Sequence, residues 1–190
     1  MRHTLLILAT FCSAPAFAQS PVINNATIDS SGKQYQGNLT VNQAAGDLQQ
    51  QANVRAFAVG HSASATTQVR QRLRTHVDPA IDAQSSIQGD AFSHGSGALG
   101  VNQSTGASNQ QANALRISLS TQPQSIDDSV LMQQNVALIN GSDPTDSAPG
   151  HRQVTTSDQA FTGSRGVIQL NQSAGVGNRM ANTLSVRVAD

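Results

Sequence analysis

Large aromatic and charged side chains, from which enzymes and conventional cores are built, are scarce in this chain. Of its 190 residues, 12% are charged and 3% are aromatic; there is no Trp and no Glu, and Lys33 is the single lysine. Charged residues usually make up about a quarter of a chain. Beyond residue 18 the aromatics are Tyr35, Phe57, Phe92 and Phe161. So few large side chains bury too little surface to offset conformational entropy in an ordinary core. The charge density is also too low for a solvated disordered chain. The formal net charge is 0. A chain without net positive charge is poorly suited to hold a phosphate backbone, which argues against nucleic acid as a partner. Long-range repulsion that would oppose self-association is absent as well.

Catalytic and metal chemistry is equally thin. His3, His61, His76, His94 and His151 are scattered, with no H-x-x-x-H spacing, and they read as surface or loop residues rather than ligands. No G-x-S-x-G elbow is present. Asp127-Asp128 and Asp143 with Asp146 read as solvated turn carboxylates, with weak calcium binding as the lesser alternative. The chain is expected to be no enzyme and to carry no cofactor.

The only cysteine is Cys12. It lies in an N-terminal stretch with a basic start (Met1-Arg2-His3), an apolar run from Thr4 to Phe11 and a small-x-small site, Ala16-Phe17-Ala18. This pattern predicts a secretory signal peptide over residues 1–18, far short of a membrane span. Phe11 precedes Cys12, where a lipoprotein signal needs a small residue. Cleavage after Ala18 leaves no cysteine for disulfides or metal. No later segment is apolar enough to insert directly into a membrane.

What the chain does contain is amide, glycine and repetition. Asn and Gln make up about a fifth of the residues after Ala18. One 17-residue segment occurs three times without gaps. Gly37–Asn53 reads GNLTVNQAAGDLQQQAN, Gly97–Asn113 reads GALGVNQSTGASNQQAN, and Gly166–Asn182 reads GVIQLNQSAGVGNRMAN. A repeated segment makes one structural unit the basis of a fold. Leu39, Val41 and Gln43 alternate with Asn38, Thr40 and Asn42, which is the period of a strand. The equivalents are Leu99, Val101 and Gln103, then Ile168, Leu170 and Gln172. Gly46, Gly106 and Gly175 follow, where glycine permits a turn. A second alternating arm places Phe57 and Val59, then Leu115, Ile117 and Leu119, then Leu184, Val186 and Val188 on one face. Arg55 interrupts this face and is expected at a rim, or with its stem buried and its head solvated. Each copy therefore reads as strand–turn–strand. Stacked in register, its amides form ladders with a spacing of about 4.8 Å; the bland alternative is that they are solvated strand residues.

The spacers carry less signal. Thr67 to Val77 alternates an apolar or hydroxylated row with Arg70, Arg72 and Arg74, predicting a strand. The basic row reads as a solvated face, a dock for an acidic partner or polysaccharide, or a guard against edge pairing. Val130–Met132 and Val136–Ile139 suggest one or two further strands, and Gly141–Gly150 a turn or flexible linker. Ala91-Phe92-Ser93 and Ala160-Phe161-Thr162 precede the second and third copies at the same distance, with only Tyr35 near the first.

The pattern formed by Gly37, Val41, Asn42, Ala45, Gly46, Gln50, Ala52, Asn53 and their equivalents, set between long spacers in an exported chain, resembles the repeats of the bacterial Fap functional-amyloid system. Arg179-Met180 departs from the Gln-Gln of the other copies. The resemblance implies a secreted structural protein, curli-like in role: a subunit or minor component of extracellular fibres that stiffen biofilm and aid cell adhesion. It implies self or homologous repeat-containing subunits, and an outer-membrane secretion apparatus, as partners, and passage through the periplasm to a cell-surface fibre.

The expected fold is all-β, with imperfect repeats stacking as a β-solenoid or a sandwich-like amyloid-type core. The expected organisation is a signal peptide (1–18), an N-terminal segment (19–36), repeat 1 (37–60), a linker with a strand (61–90), repeat 2 (91–120), a partly flexible linker (121–159) and repeat 3 (160–190). The residues expected to carry self-assembly are Asn42, Gln43, Gly46 and Asn53; Asn102, Gln103, Gly106 and Asn113; and Asn171, Gln172, Gly175 and Asn182. The alternative reading is a monomeric secreted adhesin, or an accessory protein that caps or chaperones fibre subunits.

Overall fold

A computed structural model describes residues 22–73, 80–121, 134–136 and 150–189. The chain there is all-β, with parallel sheets and no closed barrel among the described residues. The strands are β1 (Val22–Asp29), β2 (Gln36–Ala45), β3 (Gln50–Gly60), β4 (Val69–Gln71), β5 (Ile81–Gln88), β6 (Ser96–Ala107), β7 (Gln110–Ser120), β8 (Gln134–Val136), β9 (Arg152–Thr156), β10 (Arg165–Val176) and β11 (Arg179–Ala189).

The sheet orders are β1-β5-β9, β2-β6-β10 and β3-β7-β11, with a short β4-β8 pair. Each three-stranded sheet thus takes one strand from each third of the chain. The first layer is β1, β2 and β3; the second is β5, β6 and β7; the third is β9, β10 and β11. The pairing is parallel and follows the sequence repeat residue for residue: Gly37, Gly97 and Gly166 align, as do Asn42, Asn102 and Asn171, and Asn53, Asn113 and Asn182. Identical side chains fall one above another only in such a parallel register.

The two arms of a copy do not bond to each other as a hairpin. β6 and β7 lie in different sheets and meet through their side chains. Gly106 sits inside β6 at φ 98°, and the reversal follows at Ser108 (φ 57°). A Cβ on Gly106 would run into the carbonyl oxygen of Gly175 in the next layer. Close approach of backbones, as well as positive φ, explains the glycine.

The apolar core lies between the β1-β5-β9 and β2-β6-β10 sheets. Ile28, Ile87, Leu99, Val101 and Phe92 are buried there, with Leu39, Val41 and Leu170 packed against them. Phe92 and Phe161, both at positive φ, stack with ring centroids 5.4 Å apart. The first-layer turn has no Phe at the equivalent position; Gly32 leaves room for the Phe92 ring, and Tyr35 lies over Gly95. Lys33 bridges the first-layer turn to Asp90 of the second at 2.8 Å.

Of the strand expected over residues 67–77, the structure describes Val69–Gln71, paired with Gln134–Val136. Residues 74–79, the runs 130–133 and 137–139, most of 141–150 and the leader 1–18 lie outside the described residues. The preceding stretch runs along the outer side of β7, with Ala63, Ala65 and Thr67 buried and Ala65 N donating to Ser118 Oγ at 2.9 Å.

Candidate functional site: stacking faces and amide ladders

The twelve residues singled out from the sequence come together in aligned columns. Asn171 Nδ2 donates to Asn102 Oδ1 at 2.9 Å, and Asn102 Nδ2 to Asn42 Oδ1 at 3.0 Å. Gln172 Nε2 donates to Gln103 Oε1 at 2.9 Å, and Gln103 Nε2 to Gln43 Oε1 at 2.7 Å. Asn182 Nδ2 donates to Asn113 Oδ1 and Asn113 Nδ2 to Asn53 Oδ1, both at 3.0 Å. The two Asn columns face each other across the arch. Asn53, Asn113 and Asn182 donate to Asn42, Asn102 and Asn171 at 2.8, 3.0 and 3.0 Å. Gly46, Gly106 and Gly175 form a fourth column at the end of the arm, all at positive φ.

These amides also hold the backbone. Gln103 lies at 0% exposure and reaches across to the first sheet, donating to Ala26 O and Ser86 O and accepting from Ser85 Oγ. Asn102 donates to Ala52 O and Asn171 to Ala112 O, at 2.9 and 3.0 Å. A buried amide stabilises only when its donors and acceptors are met, and these are. The sequence pointed to the repeat amides but not to their neighbours: Ser85, Ser104 and Ser173, buried in the same network, carried no repeat signal beyond small size.

The three layers differ sharply in cover. Leu99 and Leu115 of the middle layer are 1% and 0% exposed, while their third-layer equivalents Ile168 and Leu184 are 38% and 36% exposed. β6 is buried along ten consecutive positions, and β2 at none. The outer sides of the first and third layers present the equivalent repeat positions without a strand to cover them. Their outward backbone groups form edges. A shallow groove between β10 and β11, lined by Ile168, Gln169, Leu170 and Leu184 among others, opens on the third-layer side.

Arg55 takes the place of Leu115 and Leu184 in the first layer. Its stem is half-buried and its head is tied down: Nη2 donates to Leu39 O at 2.8 Å and Nη1 to Asn38 Oδ1 at 3.3 Å. Partial burial lowers its pKa from the ordinary guanidinium value. Gly100 leaves space for this head in the middle layer. Among the described residues no group of three His, Cys, Asp or Glu side chains is placed to hold a metal.

No solved structure matches the chain. The functional amyloid subunit FapC of Pseudomonas aeruginosa is 32% identical over 160 residues, which are 78% of this chain and 42% of that protein. The chain thus spans less than half the length of the curated relative it matches. The profile of the functional amyloid protein FapB/FapC family matches residues 12–189, nearly the whole chain. A match of that extent, on a sequence whose three repeats align layer upon layer, places the chain in the FapB/FapC family of functional amyloid proteins.

Proposed function

We propose that the protein is a subunit of extracellular functional-amyloid fibres in biofilm, and that each copy is a three-layer β-solenoid that lengthens the fibre by stacking on another. The observation that carries this reading is the unequal cover of equivalent residues. The middle layer shows what the repeat looks like when stacked on both sides, and the outer layers show it stacked on one side only. Covering Ile168, Leu184 and Val186 on the third layer, and Leu39 and Phe57 on the first, removes apolar surface from water at about 25 cal/mol per Å². Adding a parallel strand to each edge also satisfies its backbone groups.

The repeat Asn and Gln residues then act as the assembly site, continuing their ladders across the junction. The three repeats with their preceding strands are the structural units, and residues 1–18 direct export through the periplasm and an outer-membrane secretion apparatus. The family and the FapC relative support this reading. Partners are further copies or homologous repeat-bearing subunits, with adhesion and matrix stiffening as outcomes.

The test is a thioflavin time course on the purified protein, with fibre diffraction on the product. A sigmoidal rise and reflections near ~4.8 and ~10 Å are expected. A folded β-protein that stays monomeric throughout sinks the proposal and leaves the secreted adhesin or capping protein in its place.

A further inference from the structure

We infer that the fibre is polar and grows head to tail, with the third layer of one copy seated on the first layer of the next. This rests on the stacking reading above and adds which surface meets which. The partner is a second copy of this chain, placed so that Asn42 lies against Asn171, Gln43 against Gln172 and Asn53 against Asn182.

The first argument is the sense of the ladders. In the three columns whose amides bond to one another through all three layers, the third layer donates to the second and the second to the first. That sense is locked. Asn42 Oδ1 accepts from both Asn102 and Asn53, so turning the Asn42 amide over would break two bonds and set NH2 against NH2. The two ends of the stack are therefore chemically different. Among the described residues, Asn42 Nδ2 has no acceptor on the first-layer side and Asn182 Oδ1 has no donor on the third-layer side. Asn102 and Asn171 show what Asn42 lacks, since each donates to an amide oxygen and to the carbonyl of the Ala before the facing Asn. Asn171 Oδ1 and Ala181 O of an incoming copy occupy those two places. A junction of two first layers sets donor against donor. A junction of two third layers sets acceptor against acceptor, and either one turns parallel pairing antiparallel.

The Gln51–Gln111 pair runs in the opposite sense, with Gln51 Nε2 donating to Gln111 Oε1 at 3.1 Å. It continues to Met180, whose thioether accepts from Gln111 at 3.9 Å and has no amide to present outward. That column thus ends in a residue that cannot clash with it at the junction. Gln49 and Asn109, which also donate toward the third-layer side, do so to the backbone carbonyls of Gly106 and Gly175.

Glycine placement in the Gly37 column agrees. A Cβ on Gly97 would strike the Gly37 carbonyl, and one on Gly166 would strike the Gly97 carbonyl. A Cβ on Gly37 would meet nothing within 4 Å. The φ of 81° at Gly37 favours glycine, but space within one copy does not require it. The Gly166 carbonyl of the next copy restores the contact that the other two glycines already have.

The experiment uses Asn42→Asp, which keeps the acceptor oxygen for Asn102 and Asn53 and replaces the outward donor with an anion. Gln43→Glu makes a similar exchange in the neighbouring column, with the added loss of the bond from Gln43 Nε2 to Thr27 O, should the first variant lose its circular-dichroism signature. Each folded variant alone is expected to remain monomeric by sedimentation, with elongation on wild-type seeds slowed roughly 100-fold, the scale of an unpaired charge facing acceptors. Added at a small fraction to wild-type protein, it should also arrest growth at the first-layer end of each fibre, because its intact third layer adds there and then presents the blocked face. A variant that stops at dimers overturns polarity in favour of two third layers meeting. Elongation at the wild-type rate overturns the placement of these amides at the junction. A wild-type protein that forms no fibres removes the stacking reading itself, and is read in the same assay without the variant.

Discussion

At the scale of one residue, this protein uses polar side chains where most proteins use large apolar ones. Gln103 makes five hydrogen bonds to five partners, each between 2.7 and 3.2 Å. An amide held in this way is compatible with complete burial, whereas an unpaired one is costly. Tyr35 is the contrasting case. Its ring is buried, and its Oη has no hydrogen-bond partner among the described residues. Removing that hydroxyl should therefore relieve a penalty rather than break a bond. Tyr35→Phe is expected to raise stability by about 1 kcal/mol, read as a higher urea midpoint with an unchanged slope. A lower midpoint would mean that the hydroxyl has a partner in solution.

At the scale of the element, a side chain's contribution depends on its layer, because the middle layer is bonded on both sides. Asn102 is fully buried and donates to Asn42 while accepting from Asn171, whereas Asn42 itself is exposed. The same substitution should therefore have different effects in different copies. Asn102→Ala is expected to destabilise the monomer by roughly 3–4 kcal/mol and Asn42→Ala by about 1 kcal/mol, on the usual cost of orphaned buried partners. Chemical denaturation of the monomer checks the ranking, and equal losses at both positions would contradict the layered arrangement. This dependence on layer also explains what could be read in advance. The repeat made the parallel register visible, since Gly37, Asn42 and Asn53 can align with their equivalents in only one way without gaps. The all-β class followed from period-two alternation in both arms. β1, β5 and β9 were not legible, because VINNATID, IDAQSSIQ and RQVTT share no motif and β5 buries Ser85 and Ser86 beside Ile87. A strand covered on both faces and flanked by layers does not need hydrophobic alternation. Its register comes from its connection to the repeat, which composition does not display. The head of Arg55 was also out of reach, since the acceptor that holds it is a backbone carbonyl of the facing strand.

At the scale of the whole molecule, charge governs how readily copies approach each other. The eleven Lys and Arg balance the eleven Asp, and the formal net charge is 0. With no net field to screen, the assembly rate at neutral pH should change less than about threefold between low and high salt. Acid removes this balance. Below pH ~4 carboxylates ordinarily protonate, leaving the Lys, Arg and His side chains without counter-charge. The hydrogen bond from Lys33 keeps the Asp90 carboxyl below the ordinary range. A carboxyl depressed in the folded state stabilises above its unfolded pKa and loses that contribution as pH falls through the folded one. The Lys33–Asp90 tie between the first two turns is therefore present at neutral pH and gone in strong acid. Two effects then act together: copies repel, and the turn that links the first layer to the second loosens. Assembly near pH 3 and low ionic strength is expected to be roughly tenfold slower than at neutral pH, with added salt restoring most of the rate by screening the repulsion. Thioflavin kinetics over a pH and salt grid measure this. A rate that rises on acidification at low salt would show that carboxylates oppose the junction, and would contradict a stack held by neutral amides and apolar side chains.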